Sequence, residues 1–69
     1  STMTSTGTVK FFNEQRGFGF ITSADGDDIF VHVSNIAESE SGTLAEGQSV
    51  TYETGSGRKG PEAINVKVV

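Results

Sequence analysis

Phe18, Phe20, Phe30 and His32 are the side chains of this 69-residue chain best suited to chemistry, and they come as two alternating pairs. Residues two apart in a strand share one face, so each pair presents its rings together. Flat π systems on a common face stack on other flat π systems, and His32 adds a polar tip. Catalysis has no comparable set. His32 stands without a Ser, Cys or paired carboxylate at a recognisable triad spacing, so no enzyme and no small-molecule substrate are expected. Asp25, Asp27 and Asp28 lack the spacing and the closing Glu of a calcium loop, and read as a solvated hairpin turn. One histidine without cysteine gives no zinc set, and residues 55–60 lack the ending and the following helix of a phosphate-binding P-loop. No metal and no cofactor are expected.

The elements that must position those rings are strands. Residues 8–12, 17–21, 29–33, 50–53 and 63–68 are rich in β-branched and aromatic side chains, and helical spacing is weak throughout. Turn residues separate them at 13–17, at Asp25-Gly26, across 38–47 and across 55–61. The first three runs predict a tight meander, and the connection 34–48 is where a short helical turn fits. A small all-β chain must hide its strand edges, so the expected fold is a closed five-stranded antiparallel barrel of the OB type. The chain has material for one core, with neither disulfide nor metal to support it. We therefore expect one domain over residues 6–69, preceded by a disordered polar tail, 1–5, in which Met3 fits a translation start.

Alternation decides which face the rings occupy. Phe18 and Phe20 oppose Ile21, while Phe30 and His32 oppose Ile29, Val31 and Val33, so both strands are apolar on both sides. The chain has no amphipathic helix or spare sheet to cover a second face. The aliphatic set is the natural barrel filling, which leaves the rings as an exposed patch, and such patches mark binding surfaces. An aromatic platform suits unpaired bases, because every base has a π face and single strands can splay their bases outward.

Charge qualifies this reading. The net charge is −4, and residues 22–53 carry all but two of the nine carboxylates with no Lys or Arg, leaving both ends mildly basic. Affinity must then come from stacking more than from phosphate neutralisation. A competing reading of the same face is a docking surface for a protein partner, favoured by the acidic middle. No uninterrupted apolar run exceeds three residues, so no membrane segment is expected. The lack of cysteine and of a secretory signal pattern fits a cytoplasmic protein.

The stretches Arg16-Gly17-Phe18-Gly19-Phe20-Ile21 and Ile29-Phe30-Val31-His32-Val33 resemble the two RNA-binding motifs of the bacterial cold-shock domain family. Residues 6–13 resemble the family's first strand, 44–48 its LxEGQ segment and 59–66 its closing GPxAxNV stretch, so the likeness spans nearly the whole chain. The RNA recognition motif uses a similar Arg-Gly-Phe-Gly-Phe string, but it needs two helices and places its shorter motif first. The resemblance implies binding of single-stranded RNA and DNA and an RNA-chaperone role in translation or antitermination under cold or stress; a monomer is expected, with a strand-exchanged dimer as the alternative. It also implies contacts from Lys10, Phe11, Phe12, Asn13, Arg16, Phe18, Phe20, Asp28, Phe30, His32 and Lys59. The aromatics would stack, Lys10, Arg16 and Lys59 would meet phosphates or base edges, and Asn13 and Asp28 would pair with base polar groups.

Phe11 stands where the family usually has tryptophan, Val33 where it has phenylalanine, and Ser41-Gly42 where an aromatic-Lys pair is common. All three reduce the stacking surface, which implies weaker binding or a shorter bound tract. Val33→Phe is accordingly expected to tighten binding to an oligo-dT strand by about fivefold or more, the scale of one stacked base. Unchanged affinity in a fluorescence titration would place the platform elsewhere.

Overall fold

The computed structural model describes residues 4–36, 43–57 and 60–69. Within them the β-branched and aromatic runs become β1 (Ser5–Asn13), β2 (Phe18–Ser23), β3 (Asp28–His32), β4 (Ser49–Gly57) and β5 (Gly60–Val68), with a 3₁₀ turn at Val33–Asn35. Ser5 pairs with Tyr52 and so belongs to the sheet, not to a tail. β4 and β5 extend to Gly57 and from Gly60, well into the stretch read as a turn, because Gly55, Ser56 and Gly57 pair with Glu62, Pro61 and Gly60. Among the described residues, no helix is long and apolar enough to cross a membrane.

The strands close into a barrel in the order β1-β2-β3-β5-β4. Four seams are antiparallel, but β3 and β5 run parallel, through Phe30↔Glu62 and Val31↔Ala63. The all-β OB-type barrel is as expected, whereas an antiparallel arrangement throughout is not attainable. A ring with an odd number of strands cannot alternate direction all the way round, so one seam must be parallel. That seam brings β5 alongside β3.

The interior is aliphatic apart from one ring: Val9, Ile21, Val31, Ile36, Leu44, Val50, Tyr52, Ala63 and Val66. Burial pushes the Tyr52 hydroxyl above its ordinary pKa, and the Asp25 carboxylate adds to the rise. Leu44 reaches this core from a short turn fastened to β1, where Val9 N–H donates to Gln48 O (2.9 Å) and Gly47 N–H donates to Val9 O (2.9 Å).

Two β-bulges set the phase of the long strands. On β1, Val9 pairs with Ile21 and Phe11 with Phe20, leaving Lys10 as an inserted residue. Strict alternation would put Phe11 inward beside Val9; the extra residue turns it outward and brings Phe12 against the core instead. On β5 the register slips between the partners of Thr51 and Glu53, at Asn65, which adopts a φ of 51° and donates from Nδ2 to Glu53 Oε2 (3.0 Å). Ala63 and Val66, three apart, both point inward as a result.

Gly19 is where β1 lies closest to β2. A Cβ on Gly19 would fall 2.3 Å from Phe11 O and 2.7 Å from Phe12 Cα, so the bulged backbone occupies the space of a side chain. Gly19→Ala is expected to destabilise the fold by about 1–3 kcal/mol or more, since backbone rather than a flexible tip must yield. In thermal unfolding, each kcal/mol lowers the midpoint of a domain this small by about 4–8 °C. An unchanged midpoint would contradict the close approach.

Candidate nucleic-acid interface

The outer face of β1, β2 and β3 carries four rings in mutual contact. Phe18 and Phe20 come from β2, Phe30 from β3, and Phe11 joins them through the bulge on β1. Phe18 and Phe30 stack with centroids 5.7 Å apart and planes 24° from parallel. Phe20 meets Phe18 (6.5 Å, 87°) and Phe30 (5.8 Å, 76°) edge to face. Phe11 lies 5.5 Å from Phe20 and 6.4 Å from Phe18. Each offset or edge-on pair contributes about 0.5–1.5 kcal/mol beyond its burial. None of the four is a core residue; all are half-buried, because each ring shields its neighbours' edges. Alternation alone predicts fuller exposure, since it takes no account of rings covering rings.

Three of these rings, Phe18, Phe20 and Phe30, floor an open groove of about 1070 Å³. Phe18, Phe20, Phe30 and His32 line its base, Ser34 and Asn35 of the 3₁₀ turn close one end, and Gly60, Pro61 and Glu62 of β5 form a wall. His32 is exposed and pairs with Phe18 across the β2–β3 ladder. Its Nδ1 accepts from Ser34 N–H (3.1 Å) and lies 2.8 Å from Ser34 Oγ. That acceptor role assigns the neutral ring's proton to Nε2 and fixes the ring plane.

The other expected contacts divide. Phe12 packs against the core, so its ring serves the barrel and not the platform. Asn13 ends β1 as the cap of a tight turn: Arg16 N–H donates to Asn13 Oδ1 (3.0 Å) and Gly17 N–H to Asn13 O (2.8 Å). Gly17 meets the turn's demand for a φ of 75°. Arg16 is exposed on this turn, outside the groove lining. Val33 sits over Gly17, where a Cβ would lie 3.1 Å from Val33 Cγ1, and does not line the groove, so the structure does not place position 33 on the stacking platform expected from the sequence. Lys59 and Ser41-Gly42 lie outside the described residues.

Lys10 and Asp28 meet each other at the groove's edge. Lys10 Nζ donates to Asp28 Oδ2 at 2.7 Å, and Thr22 Oγ1 donates to Oδ1 at 3.3 Å. The side chains keep 54% and 42% of their exposure, so solvent screens the pair and its contribution to stability is small. It is the one ion pair among the described residues. Sequence reasoning missed Ser34, Asn35, Pro61 and Glu62. The last two fall within the closing Gly-Pro stretch, the only signal that pointed toward them.

Comparison with known proteins bears on this arrangement. Residues 5–69 match the family described as the 'Cold-shock' DNA-binding domain. The chain is 56% identical over 64 residues to cold shock-like protein CspC of Escherichia coli K12, covering 91% of this chain and 93% of that protein. It is also 56% identical over 61 residues to cold shock protein 2 of Lactiplantibacillus plantarum, covering 88% and 92%.

The hydrogen bond from Lys10 holds the Asp28 carboxyl below its ordinary pKa, aided by the Lys10 charge and Thr22 and opposed by partial desolvation. A depressed folded-state pKa gives a contribution to stability that is present above the unfolded value of 3.8 and is lost as pH falls through the folded value. A carbon-detected titration of Asp28 is expected to show a midpoint below that value, and Lys10→Ala should raise it. A midpoint indifferent to Lys10 would dissolve the pair.

Proposed function

The chain belongs to the cold-shock DNA-binding domain family, and on that premise we propose that it binds single-stranded RNA and DNA by stacking unpaired bases on the Phe11, Phe18, Phe20, Phe30 and His32 surface. One observation carries this reading: the core among the described residues is filled without these rings, yet Phe18, Phe20, Phe30 and His32 line one contiguous groove on the outside, with Phe11 packed against two of them. A stacked base contributes roughly 1–3 kcal/mol, so three or four of them support micromolar binding or better without a strongly basic surface. Lys10, Arg16 and Lys59 are assigned to backbone or base-edge contacts, and Asn13 and Asp28 to base polar groups, Asp28 by exchanging its bonds to Lys10 and Thr22.

The cellular role that follows is that of an RNA chaperone. Short-lived stacking on unpaired bases favours melted over folded messages, which serves translation and transcription antitermination in cold or stress. That step rests on likeness to the family, whereas the stacking step rests on the groove.

Fluorescence titration with oligo-dT or oligo-U against a duplex of equal length tests the reading. Single strands are expected to bind more tightly, and Phe18→Ala and Phe30→Ala each to weaken them by about five- to 150-fold. With only about one to three phosphates neutralised, the log–log salt slope should be about −0.7 per phosphate. Equal duplex affinity, indifference to both substitutions, or a slope steeper than about −4 would overturn it, and equal duplex affinity with retained binding of a protein would favour the docking-surface alternative.

A further inference from the structure

The parallel seam puts Glu62 directly beside Phe30, continuing the lateral row Phe11, Phe20, Phe30 across four strands on the groove side of the barrel. Paired residues on adjacent strands share a face and lie about 5 Å apart. Glu62 is half-buried in the groove wall, and its carboxylate lies against Gly57, where a Cβ would come within 2.8 Å of Oε2. Glu62 and Phe30 line the same groove, so a base stacked on Phe30 has the Glu62 side chain at its flank, within reach of one edge.

We infer that Glu62 determines base preference, reading the Watson–Crick edge of the base on Phe30 and selecting guanine. An ionised carboxylate only accepts hydrogen bonds, and its two oxygens suit two parallel donors. Guanine offers N1–H and N2–H side by side. Thymine and uracil offer one N–H between two carbonyl oxygens, which the carboxylate repels. Cytosine and adenine each offer one amino group beside a bare ring nitrogen. The same negative charge turns phosphates away from this wall, so bases rather than backbone face it.

The inference rests on the stacking proposed above, and the test separates the two. The probes are an oligo-dT heptamer, the same heptamer with one internal guanine, and the same with inosine there, which keeps N1–H and lacks the N2 amino group. The protein is expected to bind the guanine heptamer about five- to tenfold more tightly than oligo-dT, with most of that gain lost for inosine. Glu62→Gln keeps the shape but replaces one acceptor with a donor, so it should abolish the preference while oligo-dT binding holds or strengthens. A protein that binds oligo-dT yet shows no guanine preference, treats guanine and inosine alike, or keeps its preference in Glu62→Gln overturns the role of Glu62 and leaves stacking standing. Failure to bind any of the three heptamers removes the stacking reading and this inference with it.

Discussion

A closed ring of five short strands encloses a single interior, and among the described residues nine buried side chains fill it, with Phe12, Ile29 and Val68 packed against them. Everything else follows from that limit. Among the described residues no other element covers the apolar side chains on the outer face, and Phe11, Phe18, Phe20 and Phe30 cover one another. Their mixed stacked and edge-on contacts hold the rings in place before any ligand arrives. A surface ordered in advance does not pay side-chain ordering entropy on binding, which makes a half-buried platform a better receptor than a fully solvated one.

The inserted residue on β1 links this surface to its only described ion pair. By shifting the strand's phase it sends Phe12 inward to finish the core, Phe11 outward to widen the platform, and leaves Lys10 to meet Asp28. The bulge works only because Gly19 yields its side-chain space to the β1 backbone. A glycine between two phenylalanines thus has a packing reason independent of any ligand. The bulge at Asn65 does for β5 what Lys10 does for β1, restoring Val66 to the interior after Ala63.

Much of this was legible in the sequence. Alternation separated Ile21 and Val31 from Phe18, Phe20, Phe30 and His32, and turn residues marked the meander, because strand period and turn chemistry are local properties. What stayed hidden depends on distant partners. Nothing near Phe11 and Phe12 announces an inserted residue, since the bulge is defined by the strand opposite. Glu62 reads as a solvated charge until the parallel seam sets it beside Phe30. Asn13 and Asp28 look available for bases in sequence, whereas Arg16 N–H already engages Asn13 Oδ1, and Lys10 and Thr22 engage both oxygens of Asp28. Ser5 was misplaced for the same reason: only its pairing with Tyr52 makes it a strand residue.

Acidity and base binding are compatible here because the two act through different parts of the groove. Two carboxylates, Asp28 and Glu62, stand at its edges and the floor between them is aromatic. Asp28 compensates Lys10 at close range, so that cation adds little long-range attraction for phosphate. Coulombic steering is then weak, and in the proposed mode of binding affinity divides among separate stacked bases, each worth roughly 1–3 kcal/mol. A ligand held that way detaches one base at a time, whereas one held by a dense phosphate network must break many contacts together. Such gradual release is what the proposed chaperone role requires, namely brief occupation of unpaired stretches.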